Sequence, residues 1–447
     1  MISNYLLLAA SACVYVLSFL LPTYCWWMIF FFIPFILFRI TRGAMEYPFL
    51  EGYFWGLCAF GLHMFWIFVL MTRKAFAWQL GLLGATVLIC FFALSSAFWF
   101  WGAECFAKSD RLFMRLIMWT CSAFSFFIFV DRYIFFLSGQ CDGYPLMFPL
   151  LPLAVQPKLL LLLPYVGSYF LLACLLFAGM FFVLFFFSYR ISAGVGFCIC
   201  LLPFAFGCFF NTSQSVPEYT KKIAYLTPPA RDISCYEQFA DVMHKLAARK
   251  NSDAEISMIC MPETTISAAF NMYSEWVDAL DMVLSPDVAL CFGSHAFEDN
   301  EWHNRLYFIK NGKISAFYDK QHCMPFAEHL LFPWSHIPCV QEIMLHQCQQ
   351  FCAGGKKRAV IVHNDFQFLP YMCSELFCMH DAPKEDNSIP IICIINDSWF
   401  AGYVRRLLHL LARYKAILWQ RVIIYVGHYE TVIYAPDGSK YYVYQID

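Results

Sequence analysis

The stretch LYFIKNGKISAFYDK, residues 306–320, indicates how the C-terminal half of the chain folds. Two apolar runs, Leu306 to Ile309 and Ile314 to Tyr318, flank an Asn-Gly pair, and such a pair between apolar runs is a strong β-hairpin signal. The sequence therefore predicts two antiparallel strands here, with Lys320 following the second strand.

Further strands and helices follow from the same kind of pattern. Residues 256–260, 288–293 and 390–395 are predicted to be buried strands, and helical periodicity appears at 236–248 and 404–419. Short strands at 422–426 and 431–434 precede a Pro-Asp-Gly turn at 436–438. Strands that alternate with helices favour stacked α/β layers over an all-β barrel.

Three strand ends carry residue types that suit nucleophilic catalysis. Glu263 lies in Met-Pro-Glu-Thr after one predicted strand, Lys320 follows the hairpin, and Cys373 lies in Tyr-Met-Cys-Ser-Glu after another apolar run. Because strand ends can meet at one edge of a sheet, these three side chains are expected to converge. The chemistry predicted for a cysteine with a carboxylate and an ammonium group is acyl transfer through a thioester.

Each side chain has a role that follows from its chemistry. A cysteine thiol has an ordinary pKa of about 8.5, so a neighbouring base and ammonium group are expected to increase the thiolate fraction of Cys373. Lys320 and the backbone N–H of Ser374 would stabilise the tetrahedral oxyanion, where one donor contributes roughly 3 kcal/mol. The alternative is that Cys373 is a small core residue, as expected for Cys378 and Cys393.

The N-terminal half has a different composition. The chain is 60% hydrophobic and only 14% charged, whereas soluble proteins are about 25% charged. Seven apolar stretches long enough to cross a bilayer lie at 5–21, 24–40, 49–72, 78–104, 112–136, 164–188 and 192–210. We therefore predict a membrane domain at 1–210 with seven transmembrane helices and a second domain at 211–447. The first stretch lacks a preceding basic segment, so it is interpreted as a retained helix.

Residues 145–188 contain five prolines, of which Pro149, Pro152, Pro157 and Pro164 interrupt the segment before a clean apolar span. Such a segment is not expected to form one regular spanning helix. It is expected to lie at the membrane surface or to pack under the second domain, and the alternative is a simple loop between helices.

Basic residues in the connections predict the orientation in the membrane. With seven spans, six basic residues fall on the side of the N-terminus: Arg39, Arg42, Lys108, Arg111, Arg115 and Arg190. Four fall on the other side: Arg73, Lys74, Arg132 and Lys158. Because Lys and Arg in short loops stay cytoplasmic, the N-terminus is predicted inside and the second domain outside.

The C-terminal half resembles the nitrilase, or carbon-nitrogen hydrolase, superfamily, which has an α-β-β-α sandwich and a Glu-Lys-Cys triad. Together with the membrane half, the chain is similar to the apolipoprotein N-acyltransferases. The motifs that carry this resemblance are Pro262-Glu263, Lys320 with Pro325-Phe326-Ala327-Glu328, Cys373-Ser374-Glu375, and Asn396-Asp397-Ser398-Trp399-Phe400 followed by His409 and Ala412-Arg413.

The resemblance implies a role for each matching residue. Cys373 would be the nucleophile, Glu263 the general base and Lys320 the cation facing the oxyanion, with Glu328 and Glu375 holding the lysine and ordering the site. The enzyme would move a fatty acyl chain from a phospholipid to the N-terminal α-amine of a diacylglyceryl lipoprotein. It would do so in the bacterial inner membrane, with the catalytic domain on the periplasmic side and with no metal or organic cofactor.

The sequence departs from the family pattern at four places. Ala327 replaces a glycine, Leu418 replaces an acidic residue, and His428-Tyr429 stands where Asn-Gly is usual. The sequence ends at Asp447, before the last part of the sandwich and the eighth spanning helix, so we expect a shortened catalytic domain.

Aromatic residues are candidates for substrate binding. The apolar run His329 to Trp334 contains Phe332 and Trp334, and it is a candidate lid or lipid-entry element because Trp is favoured at the membrane interface. Trp399 and Phe400 are the other candidates. Buried packing is the alternative for all four.

Three functions stay open at this point: an acyl-transferring lipoprotein enzyme, a membrane-tethered nitrilase-type amidase, and a non-catalytic paralogue that binds lipid. A membrane-facing cleft beside Cys373 would favour the first, a small closed pocket the second, and a separated triad the third. The formal net charge of −2 and the lack of a basic patch give no sign of nucleic-acid binding.

Overall fold

The computed structural model describes residues 2–23, 32–42, 45–73, 78–109, 111–134, 143–187, 189–209, 218, 222–226, 236–249, 256–324, 328, 336, 338, 351–354, 358–363, 366–378, 383–400 and 402–446. Two compact units divide the described residues. The helical unit comprises those of 1–136, 142–212 and 400–414, and the sheet unit comprises those of 213–399 and 415–447. The predicted domain limits, 1–210 and 211–447, remain predictions.

The helical unit consists of apolar helices. In chain order they are α1 (Ile2–Leu20), α2 (Ile33–Arg42), α3 (Pro48–Arg73), α4 (Trp78–Phe106), α5 (Leu112–Arg132), α6 (Leu163–Val166), α7 (Ser168–Phe187) and α8 (Arg190–Gly207). Within the described residues, five of them, α3, α4, α5, α7 and α8, are long and apolar enough to cross a membrane. Part of the predicted second span, 24–40, lies outside the described residues. In its described part, Ile33–Arg42 forms a helix.

The proline-rich segment is broken into short turns, as predicted. Single 3-10 turns at Pro145–Met147, Leu151–Val155 and Pro157–Leu160 precede the four-residue α6. A proline lacks the N–H that a helix interior needs, and Gly167 then takes a left-handed φ of 80°. The following helix therefore starts at Ser168, four residues later than the sequence predicts.

Residues 400–414 group with the helical unit, although the sequence places them in the second domain. The Tyr403 hydroxyl donates to the carbonyl oxygen of His63 at 3.1 Å. The Phe400 ring lies 5.5 Å from the Trp66 ring, centroid to centroid. These contacts explain why the first part of the last long helix belongs to this unit.

The sheet unit contains two sheets and four helices. Its strands are β1 (Ile223–Leu226), β2 (Met258–Cys260), β3 (Ile266–Ala269), β4 (Ala289–Glu298), β5 (Glu301–Lys310), β6 (Lys313–Asp319), β7 (Ile361–His363), β8 (Phe366–Met372), β9 (Ile391–Ile394), β10 (Ile423–Val426), β11 (Thr431–Tyr434), β12 (Lys440–Tyr442) and β13 (Tyr444–Ile446). Its helices are α9 (Tyr236–Arg249), α10 (Ser274–Val283), α11 (Glu375–Cys378) and the last five residues of α12 (Gly402–Trp419).

The two sheets pack face to face. The first has the order β13-β1-β2-β4-β5-β6, with β3 pairing with β4, and the second has the order β12-β11-β10-β9-β8-β7. Alternate residues of both sheets, such as Cys260, Phe308, Met372 and Ile424, form one buried core between them. The other face of the first sheet is covered by α9 and α10, which contribute Phe239 and Trp276 to a second core.

The predicted hairpin is present, with β5 and β6 pairing in antiparallel fashion. Asn311 and Gly312 both have positive φ, 49° and 60°, as a two-residue hairpin turn requires. On the other face of the second sheet, the ring of Trp419 lies 6.1 Å from that of Tyr371. The α/β layers predicted from the sequence are therefore confirmed as one helix layer on two stacked sheets, with the end of α12 beyond them.

Candidate active site

Cys373 lies in the tight turn between β8 and the short helix α11. Its backbone has a positive φ of 38°, which is uncommon for a residue other than glycine and concentrates at functional sites. The turn is held because the Cys373 N–H donates to the carbonyl oxygen of Ile394 at 2.9 Å. The residue is a free thiol and is 8% exposed.

Glu263 lies in the loop that follows β2, directly against β4. A Cβ on Gly293 of β4 would lie 2.6 Å from the Glu263 Cα and 2.8 Å from the Thr264 nitrogen. Only a glycine allows this close approach of the backbones. Glu263 is buried, and next after burial its negative charge raises the pKa of the Cys373 thiol.

Two further donors fix the Glu263 carboxylate. The Asn304 side-chain nitrogen donates to Oε1 at 2.9 Å, and the Asn396 backbone N–H donates to Oε2 at 2.9 Å. With both oxygens held, the carboxylate has one orientation relative to the thiol. That orientation suits a base that takes a proton from sulfur.

Lys320 follows β6 and is 1% exposed. Its Nζ lies 2.9 Å from Glu263 Oε1, 2.9 Å from Glu328 Oε1 and 2.8 Å from Glu328 Oε2. Asn304 also donates to Glu328 Oε1 at 2.8 Å. An ammonium group has three N–H donors, and these three contacts match them, so a developing oxyanion would take the place of one carboxylate oxygen.

Charge sets the protonation of Lys320. Burial lowers its pKa, but the negative charges of Glu263, Glu328 and Cys373 and the hydrogen bond to Glu328 raise it more, so the pKa stands well above its usual value. The lysine is therefore a permanent cation, which fits a role in stabilising an oxyanion and excludes a role as general base.

The pKa of the Cys373 thiol is raised, whereas the sequence predicts a larger thiolate fraction. Burial raises its pKa most, the charge of Glu263 raises it further, and Lys320 lowers it only in part, so the pKa stands well above its usual value. The expected increase in thiolate fraction is therefore wrong for the resting site. The physical reason is that the sulfur is buried beside two carboxylates and a single ammonium group.

Glu328 and Glu375 have different positions. Glu328 contacts Lys320 directly, as the resemblance implies, while Glu375 binds the surrounding backbone. Glu375 accepts hydrogen bonds from Gln321 N–H at 2.9 Å and Met372 N–H at 2.8 Å, and it pairs with Arg358 at 3.2 Å. Glu375 therefore ties the segment after Lys320 to the segment before Cys373.

Ser374 is placed for a second oxyanion donor. Its hydroxyl donates to the carbonyl oxygen of His322 at 2.6 Å, which fixes the residue after Cys373. Its backbone N–H has no acceptor among the residues that the structure describes. A substrate oxygen bound to Cys373 could take this hydrogen bond.

Several residues of the site were missed by the sequence analysis. Asn304 lies within β5, and its backbone oxygen accepts a hydrogen bond from the Lys320 N–H at 2.9 Å. The register of the β5–β6 hairpin was therefore the signal that could have identified Asn304. Asn396 contributes through its backbone, which no residue type reveals. His428, one of the departures from the family pattern, reaches the site as well, because its Nε2 lies 3.2 Å from the Glu263 carbonyl oxygen.

The four aromatic candidates are not all placed. Phe332 and Trp334 lie outside the described residues. Trp399 forms part of a 3-10 turn at Asp397–Trp399 and is half-buried. Phe400 is buried against Trp66, which agrees with the packing alternative.

No protein-family model matches the chain, and no curated protein matches it. Similar solved structures include a glutamine-dependent NAD+ synthetase from Acinetobacter baumannii, 11% identical with a TM-score of 0.34 over 48% of this chain and 43% of that protein. The chain therefore spans less than half of the synthetase.

Two smaller proteins are similar over most of their own length. One is an amidase of the nitrilase superfamily from Nesterenkonia AN1, as a cysteine-to-alanine mutant: 13% identical, TM-score 0.34, over 50% of this chain and 86% of that protein. The other is a CN-hydrolase superfamily protein from Xanthomonas campestris with an arsenic adduct in its active site. It is 14% identical, with a TM-score of 0.32 over 48% of this chain and 84% of that protein.

Proposed function

We propose that the protein is a cysteine-dependent acyl-transfer enzyme in which Cys373 forms a thioester. The observation that carries this proposal is the arrangement of one thiol, one carboxylate and one ammonium group. The Glu263 carboxylate lies close enough to the Cys373 thiol for its charge to raise the pKa of the thiol, and it lies 2.9 Å from the Lys320 ammonium. A separated triad would have favoured a non-catalytic protein.

In the first half-reaction, the Cys373 thiol attacks the carbonyl carbon of an ester while its proton passes to Glu263. Lys320 and the Ser374 N–H stabilise the negative charge on the carbonyl oxygen. The C–O bond then breaks, and Glu263 returns the proton to the leaving alkoxide. The product is an acylated Cys373 and a free alcohol.

In the second half-reaction, an amine attacks the thioester carbon. Glu263 takes a proton from the amine, the C–S bond breaks, and the proton goes to the departing sulfur of Cys373. The sum is transfer of an acyl group from an ester to an amine, with the enzyme restored.

We propose further that the donor is a phospholipid and that the acceptor is the N-terminal α-amine of a diacylglyceryl lipoprotein. Five helices of spanning length and apolar composition support a membrane location, because a soluble amidase of small substrates needs none. The resemblance to the apolipoprotein N-acyltransferases implies the bacterial inner membrane, and the basic residues of the connections favour an orientation with the sheet unit on the periplasmic side.

Intact-mass analysis after incubation with phospholipid in detergent tests the thioester. Wild-type protein should gain one fatty acyl mass that hydroxylamine removes. Cys373→Ala should gain nothing. Cys393→Ala is the matched control, since Cys393 is also a buried cysteine of the second sheet and should keep the adduct. A diacylglyceryl peptide added afterwards should discharge the adduct and gain the acyl mass itself.

The same experiment separates the other two functions. A Cys373 adduct that forms from a small amide, and not from phospholipid, would identify an amidase. Folded protein that forms no adduct with either substrate would identify a non-catalytic paralogue and overturn the proposal.

A further inference from the structure

A groove of about 470 Å³ runs along the surface of the helical unit between α7 and α8. It is lined mainly by Phe185 of α7 and by Ile191, Val195, Ile199 and Leu202 of α8. Arg190 is the one charged residue of its lining. The groove is thus apolar along its length with a cation at one end.

The groove has no cover among the described residues. Ile191 is 86% exposed and Ile199 is 58% exposed. Only 17% of the spanning segment Arg190–Gly207 is buried, the smallest share among the five long apolar helices. Such a surface is stable only against another apolar phase.

A glycine helps to keep the groove open. A Cβ on Gly194, another lining residue, would lie 3.3 Å from the Phe185 ring. Any longer side chain at this position would occupy the space between the two helices. The groove is therefore a consequence of the local sequence of α8.

The two ends of α8 differ in charge. The Tyr189 ring lies 6.0 Å from the ring of Phe113, so the start of α5, which carries Arg111 and Arg115, lies at the same end as Arg190. At the opposite end, the carbonyl of Lys158 lies against Gly207. An anionic group at this end of the groove would therefore lie beside the Arg190 guanidinium group.

The length of the groove fits one lipid chain. From Arg190 to Leu202 the helix rises about 18 Å at 1.5 Å per residue, while one leaflet of the hydrocarbon core is about 15 Å thick. We propose that this groove binds an anionic phospholipid, with one acyl chain between α7 and α8 and the phosphate at Arg190. The proposal depends on the membrane location proposed above but not on catalysis by Cys373.

The test uses full-length Cys373→Ala protein in nanodiscs, so that no acyl transfer consumes the lipid. A photoreactive phosphatidylglycerol and its phosphatidylcholine counterpart are crosslinked in parallel, and the labelled peptides are identified by mass spectrometry. We expect labelling within 185–202 to be about fivefold stronger for phosphatidylglycerol, the ratio that one basic residue near a membrane surface provides.

Two pairs of variants locate the site. Arg190→Gln should remove the preference for phosphatidylglycerol, whereas Lys158→Gln, an exposed cation at the opposite end of α8, should keep it. Ile199→Trp should block the groove and abolish labelling by both lipids. Phe206→Trp is its matched control, because Phe206 is 55% exposed on the same helix and does not line the groove.

The proposal is overturned if wild-type protein is labelled equally by both lipids, or if Lys158→Gln loses the preference as Arg190→Gln does. Labelling by phosphatidylcholine alone, or self-association that covers α8 and excludes lipid, would also overturn it. Because Ile199 and Phe206 are exposed, their variants should fold even if Arg190→Gln does not.

Discussion

At the residue scale, the surroundings of Cys373 favour the protonated thiol. Cys373 is buried beside Glu263 and Glu328, and both carboxylates raise the pKa of the thiol. Activation therefore does not come from a stored thiolate. In the proposed mechanism the proton moves to Glu263 during attack, so activity depends on the approach of these two side chains.

Glu263→Gln should therefore make the Cys373 thiol more acidic and yet lower acyl-transfer activity. Removal of the negative charge should lower the pKa of Cys373, because Glu263 raises it and Lys320 remains to lower it. Alkylation of Cys373 by iodoacetamide should then begin at lower pH than in wild-type protein. Turnover should nevertheless fall by roughly 10²–10⁴-fold because the general base is gone.

Mass spectrometry of the Cys373 peptide across pH 6–10 measures the first effect, and acyl transfer measures the second. Glu430→Gln, a partly exposed carboxylate paired with Lys440 at 3.3 Å, is the control and should change neither. An alkylation profile that moves to higher pH in Glu263→Gln would contradict this account of the site.

At the scale of secondary-structure elements, the position of the base depends on how closely two backbones approach. Gly293→Ala would put a methyl group 2.6 Å from the Glu263 Cα, and a backbone atom cannot move aside as a flexible side chain can. We expect unfolding stability to fall by about 1–3 kcal/mol, and acyl transfer to fall further as Glu263 is displaced from the thiol.

Thermal unfolding and thioester formation, measured on the same preparation, check this prediction. Gly402→Ala is the control, since the nearest atom to its Cβ would be an Arg405 side-chain nitrogen at 3.7 Å. Full activity of Gly293→Ala would mean that the Glu263 loop is not fixed by β4.

The sequence predicted those elements that have a local signal. The Asn311-Gly312 turn, the buried strand that contains Cys393 and the helix that ends at Trp419 are each visible in residue type or periodicity. Strand β4 was predicted to end at Gly293 but continues to Glu298. Its length is set by full pairing with β5, which is a non-local effect.

The residues of the candidate site also divide into those with a local signal in the sequence and those without one. Side chains that act through their own chemistry, such as Glu263, Lys320 and Cys373, could be selected from the sequence. Asn304 and the Asn396 N–H could not, because their contribution depends on strand register and on a backbone position. The pKa of Cys373 was misjudged because burial outweighs charge there, and burial is known only from the fold.

At the scale of the whole molecule, reporter fusions test the orientation in the membrane that the basic residues predict. Alkaline phosphatase fused after Lys158 should be active, because that connection is predicted outside, and a fusion after Lys108 should be inactive. A fusion after Glu218, which follows the last span, should also be active. Green fluorescent protein at the same positions is the reciprocal control and should fluoresce only after Lys108.

An active phosphatase after Lys108 together with an inactive one after Glu218 would invert the orientation. If the N-terminus is nevertheless inside, the number of spans before Glu218 is even, and the second apolar stretch, of which only Ile33–Arg42 is described as a helix, is the first to reconsider.

The protonated state of Cys373 has a chemical consequence between turnovers. Peroxides and disulfides react with a thiolate far more readily than with a thiol, and a sulfenic acid that forms can proceed to products that no common reductant reverses. A sulfur that stays neutral and 8% exposed offers such oxidants little to attack. The carboxylate that raises the pKa of Cys373 therefore also protects its sulfur from oxidation.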